Sequence, residues 1–312
     1  GIYTEKQGDS WREVVDFVHN QSTAKIGIQV GHSGRKGSTK LMWDGIDEPL
    51  TTGGWETVSP SALAYGPSNA VPREITRREM EAVRDDFVTA ARRANEAGFD
   101  LLELHCAHGY LLSSFLSPLA NVRTDEFGGS LENRLRFPLE VFDAIREVWP
   151  GEKPLTVRIS ATDWAEGGNT EDDALLISEA FALHGAAAID VSTGQVTKAE
   201  RPEYGRSYQT PFADRIRNEV AAKHGVSVIA VGAISSWDDL NSILLAGRAD
   251  MCALGRSHLY DPRWTLHAAA EQEYVGVGAL WPLQFRAGRR KPPTSRTEAV
   301  RPRLELVRKA DA

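Results

Sequence analysis

The sequence predicts an α/β protein built as a TIM (β/α)8 barrel, and three observations carry that prediction. Short, nearly continuous apolar runs alternate with longer helical patterns along the 312 residues, which is typical of buried parallel strands. Strict alternation of this kind requires right-handed crossovers between parallel strands. Polar and glycine-rich residues follow the strands, where the active face of a barrel lies. No GxGxxG follows the first strand, which disfavours a doubly wound dinucleotide-binding sheet.

The strands are predicted from six apolar runs. They are residues 24–30, 99–106, 155–160, 187–193, 226–232 and 249–255. A closed barrel of this type needs eight strands. The sequence therefore predicts a barrel that lacks two of its strands in this chain.

The helices are predicted from six longer amphipathic patterns, some with recognisable caps. They span residues 9–20, 76–97, 130–149, 171–184, 211–224 and 236–246. Thr76 and Glu79 have the spacing of a capping box, and Gly98 suits the position after a helix C-terminus. Ser130 is the predicted N-cap of the third helix.

Two segments depart from the regular alternation. Residues 31–75 are irregular and rich in Gly, Pro, Ser and Thr, and a loop that long inside a domain is usually functional. Toward the C-terminus the chain becomes basic and contains prolines. We predict one barrel domain over residues 1–270 and a basic tail over residues 271–312.

Composition excludes several classes of function. The net charge of -7 argues against a nucleic-acid-binding surface. No apolar run approaches the length of about 18 residues that would predict a membrane span, and no signal peptide is visible. Cys106 and Cys252 both lie in apolar runs and are predicted to be buried free thiols in a reducing compartment. A cytoplasmic location is therefore predicted.

Two histidines and a tyrosine stand where the second apolar run ends. His105 and His108 could be metal ligands, donors to one substrate oxygen, or structural side chains, and His32 is a possible third ligand. No HExxH, acidic facial triad or CxxC supports a metal, so no metal is predicted. Tyr110 would be a phenol near the same substrate, suited to give a proton.

Two further strand residues are candidates for ligand binding. Arg158 lies within a strand, where a charge needs a partner, so it indicates an anionic or electron-rich ligand. The alternative interpretation is that Arg158 forms an ion pair with a core carboxylate such as Glu103. Gln29 offers an amide that can donate to and accept from a heteroaromatic edge, or it is a satisfied core amide.

The last two strands end in glycine, which lets backbone N–H groups approach a ligand closely. Gly232 ends one and Gly255 the other, with Arg256 directly after it. Barrels commonly bind phosphate with the loops after the seventh and eighth strands. These residues predict a phosphate-bearing cofactor site, with tight turns and a surface arginine as the alternative.

Taken together, the motifs resemble a known family. "GIQVGHSGRKGS", "ELHCAHGYLLSSFLSPLANVRTDEFGGSLENRLRFPLEV", "VRIS", "VSTG", "VGAI" and "ALGR" resemble the Old Yellow Enzyme family of FMN-dependent ene-reductases, over roughly residues 10–270. "RKGSTKLMWDGIDEPL", "VPREIT" and "SATDWAEGGNTEDD" are closer still to one branch. That branch is the reductase half of the bifunctional anthraniloyl-CoA and salicylyl-CoA monooxygenase-reductases.

The resemblance implies roles for individual residues. His105 and His108 match the pair that binds the activating oxygen of the substrate, and Tyr110 matches the proton donor. The remaining matches are to residues that bind FMN. Gln29 and Arg158 match contacts to the flavin ring, and the phosphate loops match Gly232, Ala233, Gly255 and Arg256.

The resemblance also implies an activity. NADH or NADPH would reduce FMN, and hydride would then pass from flavin N5 to an enone-like, quinonoid or aryl-CoA-derived small molecule. The missing strands match the family's first and second, so we expect fusion to an N-terminal flavin hydroxylase half, or a homodimer. Such a segment could be inactive on its own.

Other readings stay open. A degenerate barrel could act as a non-catalytic scaffold, and a metal-dependent hydrolase is a further alternative. Relatives with an iron–sulfur cluster are excluded because the chain has only two cysteines.

Overall fold

Six parallel strands form one sheet in the computed structural model, which describes residues 1–289. They lie side by side in the order β1 (Gly27–Val30), β4 (Leu101–Cys106), β5 (Leu155–Ser160), β6 (Ala188–Ser192), β7 (Ser227–Val231) and β8 (Met251–Ala253). A separate parallel pair, β2 (Val58–Ser59) and β3 (Arg73–Glu74), lies within the long irregular segment. The parallel sheet and its six strands are confirmed.

Helices follow the strands. Those up to residue 253 are α1 (Glu5–Gln21), α2 (Met42–Gly45), α3 (Arg77–Glu96), α4 (Leu111–Leu116), α5 (Leu131–Val148), α6 (Glu171–Leu183), α7 (Thr210–Ile216), α8 (Ala222–His224) and α9 (Trp237–Leu245). A 3-10 turn covers Gly34–Lys36, and a π-helical turn, Arg217–Ala221, joins α7 to α8. The six predicted helices are confirmed, with that turn interrupting the fifth. The short helices α2 and α4 were not predicted.

The chain divides into two units, Gly1–Ala253 and a second that begins at Leu254. The second unit holds α10 (Arg256–Tyr260), α11 (Trp264–Glu271) and a 3-10 turn, Leu283–Gly288. The predicted domain boundary after residue 270 stays a prediction. Residues 290–312 of the predicted basic tail lie outside the described residues.

The predicted caps are present. The Thr76 backbone N–H donates to Glu79 Oε2 at 2.9 Å, and the Glu79 N–H donates to Thr76 Oγ1 at 3.4 Å. Gly98 follows α3 with a φ of 91°, a left-handed conformation that glycine adopts without strain. The Ser130 hydroxyl accepts from the backbone of Asn133 at 3.3 Å. Each such N-cap stabilises its helix by ~1 kcal/mol.

The two faces of the sheet differ in chemistry. One face is apolar and packs under the helices, with Leu102, Leu104, Val157 and Ile159 all fully buried. Alternate residues of a strand point to opposite faces, so the intervening positions form the other face. That inner face carries Gln29, Glu103, His105, Arg158 and Asp190. The α/β half-barrel therefore presents polar side chains to its inside.

The cysteine prediction is correct for one residue and needs correction for the other. Cys106 and Cys252 are both free, and Cys106 is buried, but Cys252 is only half-buried. β8 is an outer strand of the described sheet, which is why burial around Cys252 is incomplete. Burial raises the pKa of both thiols.

Among residues 1–289, no helix combines the length and the apolar character needed to span a bilayer.

Removing a side chain from the apolar face should destabilise the first unit strongly. Leu102→Ala deletes a side chain that is 0% exposed, and we expect it to lower the free energy of unfolding by ~2–5 kcal/mol through lost burial and a residual cavity. Leu183→Ala is the matched control, because Leu183 is 69% exposed and its loss should change stability by less than ~0.5 kcal/mol. Urea denaturation measures both. Equal effects would contradict the packing described.

Candidate active site

The candidate site lies on the inner face, near the carboxyl ends of three neighbouring strands. His105 on β4 is in register with Arg158 on β5, and Arg158 is in register with Asp190 on β6. Side chains at matching positions of adjacent strands project from the same face. The register therefore brings together an imidazole, a guanidinium and a carboxyl group from three separate segments of the chain.

The two histidines face each other. His105 Nε2 lies 3.3 Å from His108 Nδ1, and the ring centroids are 5.1 Å apart. His105 is buried within β4, whereas His108 lies in the following loop and is partly exposed. Because Nε2 of one ring and Nδ1 of the other converge on one point, a single oxygen could contact both.

The loop that carries His108 is held in an unusual conformation. His108 has a φ of 61°, in the left-handed region that a non-glycine residue adopts only at a cost of ~1–3 kcal/mol. Its backbone N–H donates to Ser160 Oγ at 2.9 Å, and its Nε2 lies 2.8 Å from Ser192 Oγ. Ser160 and Ser192 end β5 and β6, so the neighbouring strands fix both the backbone and the ring of His108.

Both imidazoles are neutral at physiological pH. Burial, together with the nearby positive charges of Arg158 and Lys36, lowers the pKa of His105 to about 4. Burial likewise lowers the pKa of His108 to about 3, again with Arg158 contributing. A neutral imidazole has one N–H donor and one acceptor. Because Ser192 Oγ donates to Gln209 Oε1, His108 Nε2 is the donor to Ser192, and His108 Nδ1 accepts from His105 Nε2.

Tyr110 lies next to the pair, together with a lysine that was not predicted. The Tyr110 ring centroid is 5.2 Å from that of His105. Lys36 Nζ is 5.4 Å from the Tyr110 ring centroid and 4.1 Å from that of Tyr65. Lys36 also donates to the backbone oxygen of His108 at 3.0 Å. Burial lowers the pKa of Lys36 to about 8, so the ammonium form prevails at neutral pH.

Arg158 is paired, but not with the carboxylate suggested from the sequence. Its Nε lies 3.4 Å from Asp190 Oδ2. Glu103 instead accepts from Gln29 Nε2 at 2.7 Å and from Thr156 Oγ1 at 3.1 Å. The predicted pairing of Arg158 with Glu103 was therefore wrong. The register of β4 and β5 places Glu103 opposite Thr156, which is two residues before Arg158 on the same strand.

Gln29 lies on the outer strand β1, and its side chain is exposed. The amide is not a core group, so the alternative of a satisfied core amide was wrong. Its bond to Glu103 leaves the amide oxygen without a hydrogen-bond partner in residues 1–289. Gln29 can therefore offer an acceptor on the inner face.

Gly232 and Ala233 form a tight turn directly after β7. Their φ angles are 106° and 51°, both in the left-handed region. A Cβ at position 232 would lie 2.2 Å from Gln209 Nε2, so the space beside Gly232 is already taken by protein. Gln209 itself donates to the Val231 backbone oxygen at 2.8 Å. Glycine is required here by Gln209, a reason that the sequence did not reveal.

Gly255 and Arg256 belong to the second unit, where Gly255 precedes α10 and both residues are exposed. A single phosphate site formed by these residues with Gly232 and Ala233 stays a prediction.

The candidate third metal ligand has a local structural contact. His32 Nδ1 accepts from the backbone of Gly34 at 3.0 Å. Across the described part of the chain, no group of three or more His, Cys, Asp or Glu side chains is placed to hold a metal ion.

Several residues of the site were missed. Ser160 and Ser192 could have been found, since each is a polar residue at a strand end, the rule that identified the histidines. Lys36 and Asp190 gave no comparable signal. Lys36 lies far from Tyr110 in the sequence. Asp190 is a single acidic residue within an apolar predicted strand, with no other polar residue beside it to indicate a site.

A family model and curated relatives resemble this chain. The model of the NADH:flavin oxidoreductase / NADH oxidase family matches residues 1–274. An NADPH dehydrogenase from Geobacillus sp. (strain WCH70) is 43% identical over 288 residues, covering 92% of this chain and 77% of that protein. An NADPH dehydrogenase from Clostridium acetobutylicum is 40% identical over 269 residues, covering 86% of this chain and 74% of that protein.

Solved structures share the fold. Morphinone reductase superposes with a TM-score of 0.68 at 27% identity, covering 90% of this chain and 78% of that one. A complex of 2-naphthoyl-CoA reductase with 2-naphthoyl-CoA gives a TM-score of 0.74 at 26% identity. The superposition covers 88% of this chain but only 42% of that reductase.

Burial of neutral His105 should make stability depend on pH. The imidazole binds a proton near pH 6.5 when unfolded but only near pH 4 when folded, so acid favours the unfolded chain. Relative to His105→Asn, the wild type should therefore lose ~2 kcal/mol of unfolding free energy between about pH 7 and pH 5. Urea titrations at both pH values measure this difference.

The exposed Leu183 provides the control for that experiment, because its side chain binds no proton. Leu183→Asn should retain the pH dependence of the wild type. A wild type and His105→Asn with parallel pH profiles would show that His105 titrates equally in both states, against the burial described.

Proposed function

Because the chain belongs to the NADH:flavin oxidoreductase / NADH oxidase family, we propose that it reduces a carbon–carbon double bond activated by a neighbouring carbonyl group. The family and the NADPH dehydrogenase relatives make it a flavin-dependent NAD(P)H oxidoreductase that binds FMN. The observation that carries the narrower proposal is the histidine pair, whose facing nitrogens lie 3.3 Å apart on the inner face.

The residues of the inner face fit a flavin. Arg158 faces Asp190 through Nε, its terminal nitrogens make no hydrogen bond within residues 1–289, and its side chain is 23% exposed, so the guanidinium has donors to offer. We assign it to the electron-rich N1–C2 edge of the ring, with Gln29 beside the ring and Gly232 and Ala233 near the phosphate. When bound, FMN supplies two-electron transfer from the nicotinamide to the substrate.

His105 and His108 hold the substrate oxygen in this proposal. In the structure Ser192 Oγ donates to Gln209 Oε1 at 3.3 Å, so His108 Nε2 donates to Ser192 and His108 Nδ1 accepts from His105. In this proposal the Ser192 hydroxyl turns to His108 Nε2 when the substrate binds, which moves the proton of that ring to Nδ1, the nitrogen that faces His105. His105 donates through Nε2. The two neutral donors then stabilise the negative charge that develops on the oxygen as the double bond is reduced.

Tyr110 supplies the proton that completes the reaction. The phenol is beside His105, so it can reach the carbon next to a carbonyl held by the histidines. Lys36 places an ammonium group 5.4 Å from the centre of the Tyr110 ring, on the same side of the site.

An aryl-CoA thioester or an enone is the substrate class that we propose. Both present a carbonyl oxygen conjugated with carbon–carbon double bonds. The likeness to 2-naphthoyl-CoA reductase supports the thioester, and the likeness to morphinone reductase supports the enone.

Several narrower predictions stay predictions. They are the kinship with anthraniloyl-CoA and salicylyl-CoA monooxygenase-reductases, a homodimer, a fused hydroxylase half and a cytoplasmic location.

Loss of a histidine donor should impair reduction of the substrate but not binding of the flavin. His108→Ala should lower kcat/KM for 2-cyclohexenone or an aryl-CoA thioester by ~100–1000-fold, the usual effect of removing one oxyanion donor. FMN absorbance after desalting should match that of the wild type. His184→Ala, on the exterior, should leave both properties unchanged. Full activity of His108→Ala would refute the oxygen-binding role.

Replacing the proton donor should separate the two half-reactions. Tyr110→Phe should slow reoxidation by the unsaturated substrate by ~100-fold or more, because general-acid assistance is lost. Flavin reduction by NADPH should be unchanged, as it needs no proton from Tyr110. Stopped-flow absorbance near ~450 nm resolves both steps. Equal slowing of both half-reactions would point instead to a disturbed flavin site.

A further inference from the structure

A buried carboxyl group lies beside Arg158, and the mechanism above does not use it. Asp190 on β6 is 4% exposed. Its Oδ2 lies 3.4 Å from Arg158 Nε, and the two residues are in register on neighbouring strands. A buried acid needs a compensating partner, and Arg158 is the positive group next to it.

We propose that Asp190 is a positioning residue that holds Arg158 toward the flavin ring and, by gaining or losing its own proton, sets the positive charge that Arg158 presents to the ring. This inference rests on the proposed contact between Arg158 and FMN. It assigns to Asp190 control over how easily the bound flavin is reduced at a given pH.

The geometry of the pair leaves the far side of the guanidinium available. Asp190 approaches the Nε side, and no hydrogen bond within residues 1–289 uses the two terminal nitrogens of Arg158. These nitrogens project from the face that carries His105. Asp190 therefore restrains the base of the guanidinium from the β6 side, while the terminal donors of Arg158 stay free for a ligand.

Asp190 itself is poorly stabilised as an anion. Its Oδ1 is buried and has no hydrogen-bond partner among the described residues. On the β7 side its register partner is Ile229, which offers neither charge nor hydrogen bond. On the β5 side stands Arg158, and beyond it on β4 stand Glu103 and the neutral His105.

These surroundings place the proton exchange of Asp190 in the physiological range. Burial raises the pKa of Asp190 to about 7, with the Glu103 carboxylate adding to the rise and Arg158 opposing it. Above that pH the ionised carboxylate cancels part of the field of Arg158. Below it, the neutral carboxyl leaves the full positive charge facing the ring.

The sign of the effect on the flavin follows from charge. Reduction adds negative charge to the ring system, which Arg158 stabilises. Protonated Asp190 therefore favours reduced FMN and ionised Asp190 disfavours it. The midpoint potential should fall more steeply with rising pH around pH 7 than it does on either side.

The test compares the full chain loaded with FMN in three forms: wild type, Asp190→Asn and Glu103→Gln. The midpoint potential of bound FMN is measured from about pH 5 to pH 9 by equilibration with redox dyes. The wild type should show the extra slope near pH 7, and Asp190→Asn should lack it. At pH 9 the variant should bind reduced relative to oxidised FMN ~10-fold more tightly than the wild type, which is ~30 mV for two electrons. The two curves should converge at pH 5.

Glu103→Gln is the matched control, because it removes the other carboxylate of the inner face. It should keep the extra slope but move it to lower pH, since the Glu103 charge raises the pKa of Asp190. Superimposable curves for wild type and Asp190→Asn would overturn the proposal and leave Asp190 as a structural partner only.

A second measurement does not require Asp190→Asn to fold or FMN to bind. Carboxyl carbon NMR of FMN-free chain labelled at aspartate should show a resonance that titrates near pH 7 and moves to lower pH in Glu103→Gln. This response distinguishes Asp190 from the buried Asp163, whose pKa burial also raises and to whose rise Glu103 does not contribute. Absence of a resonance that titrates above about pH 6 and responds to Glu103→Gln would overturn the proposal. Failure of the proposed function would look different: colourless protein after incubation with FMN and desalting, whatever this titration shows.

Discussion

Pairing of the polar side chains on the inner face of the sheet is the constraint on which the rest of the structure depends. Glu103 is hydrogen-bonded by Gln29, Arg158 is compensated by Asp190, and His105 contacts His108. The first two pairs each join neighbouring strands, whereas His105 and His108 lie on β4 and in the loop directly after it. A buried polar group without a partner would cost several kcal/mol. The pairs are incomplete in a specific way, because Arg158 Nε and one oxygen of Asp190 stay without hydrogen bonds in residues 1–289.

Apolar burial on the opposite face of the sheet offsets the free-energy cost of burying polar side chains on the inner face. Leu102, Leu104, Val157 and Ile159 are fully buried under the helices and supply the apolar burial that stabilises the unit. Alternation along each strand separates the two tasks, because neighbouring residues point to opposite faces. A strand such as β4 can therefore hold core leucines and a candidate catalytic histidine within six residues.

The geometry at the strand ends explains why the proposed site is preorganised. His108 stays in a left-handed conformation because Ser160 holds its backbone and Ser192 holds its ring. Lys36 donates to the backbone oxygen of the same residue and at the same time lies near Tyr110. In the proposed reaction these contacts would keep both rings in place to receive a substrate oxygen, and burial keeps the imidazoles neutral.

The sequence by itself determined the six strands of the main sheet, six of the helices, the caps and the candidate residues at the strand ends. Periodicity and capping are encoded within a few neighbouring residues, so Thr76 with Glu79 could be recognised from spacing alone. Only the tertiary structure decided which side chains meet. Arg158 could have paired with Glu103 or with Asp190. The choice depends on the register between neighbouring strands that are more than thirty residues apart in the sequence. The same reason hid Lys36 beside Tyr110: contacts across strands and loops follow from how the whole sheet aligns, which no local pattern specifies.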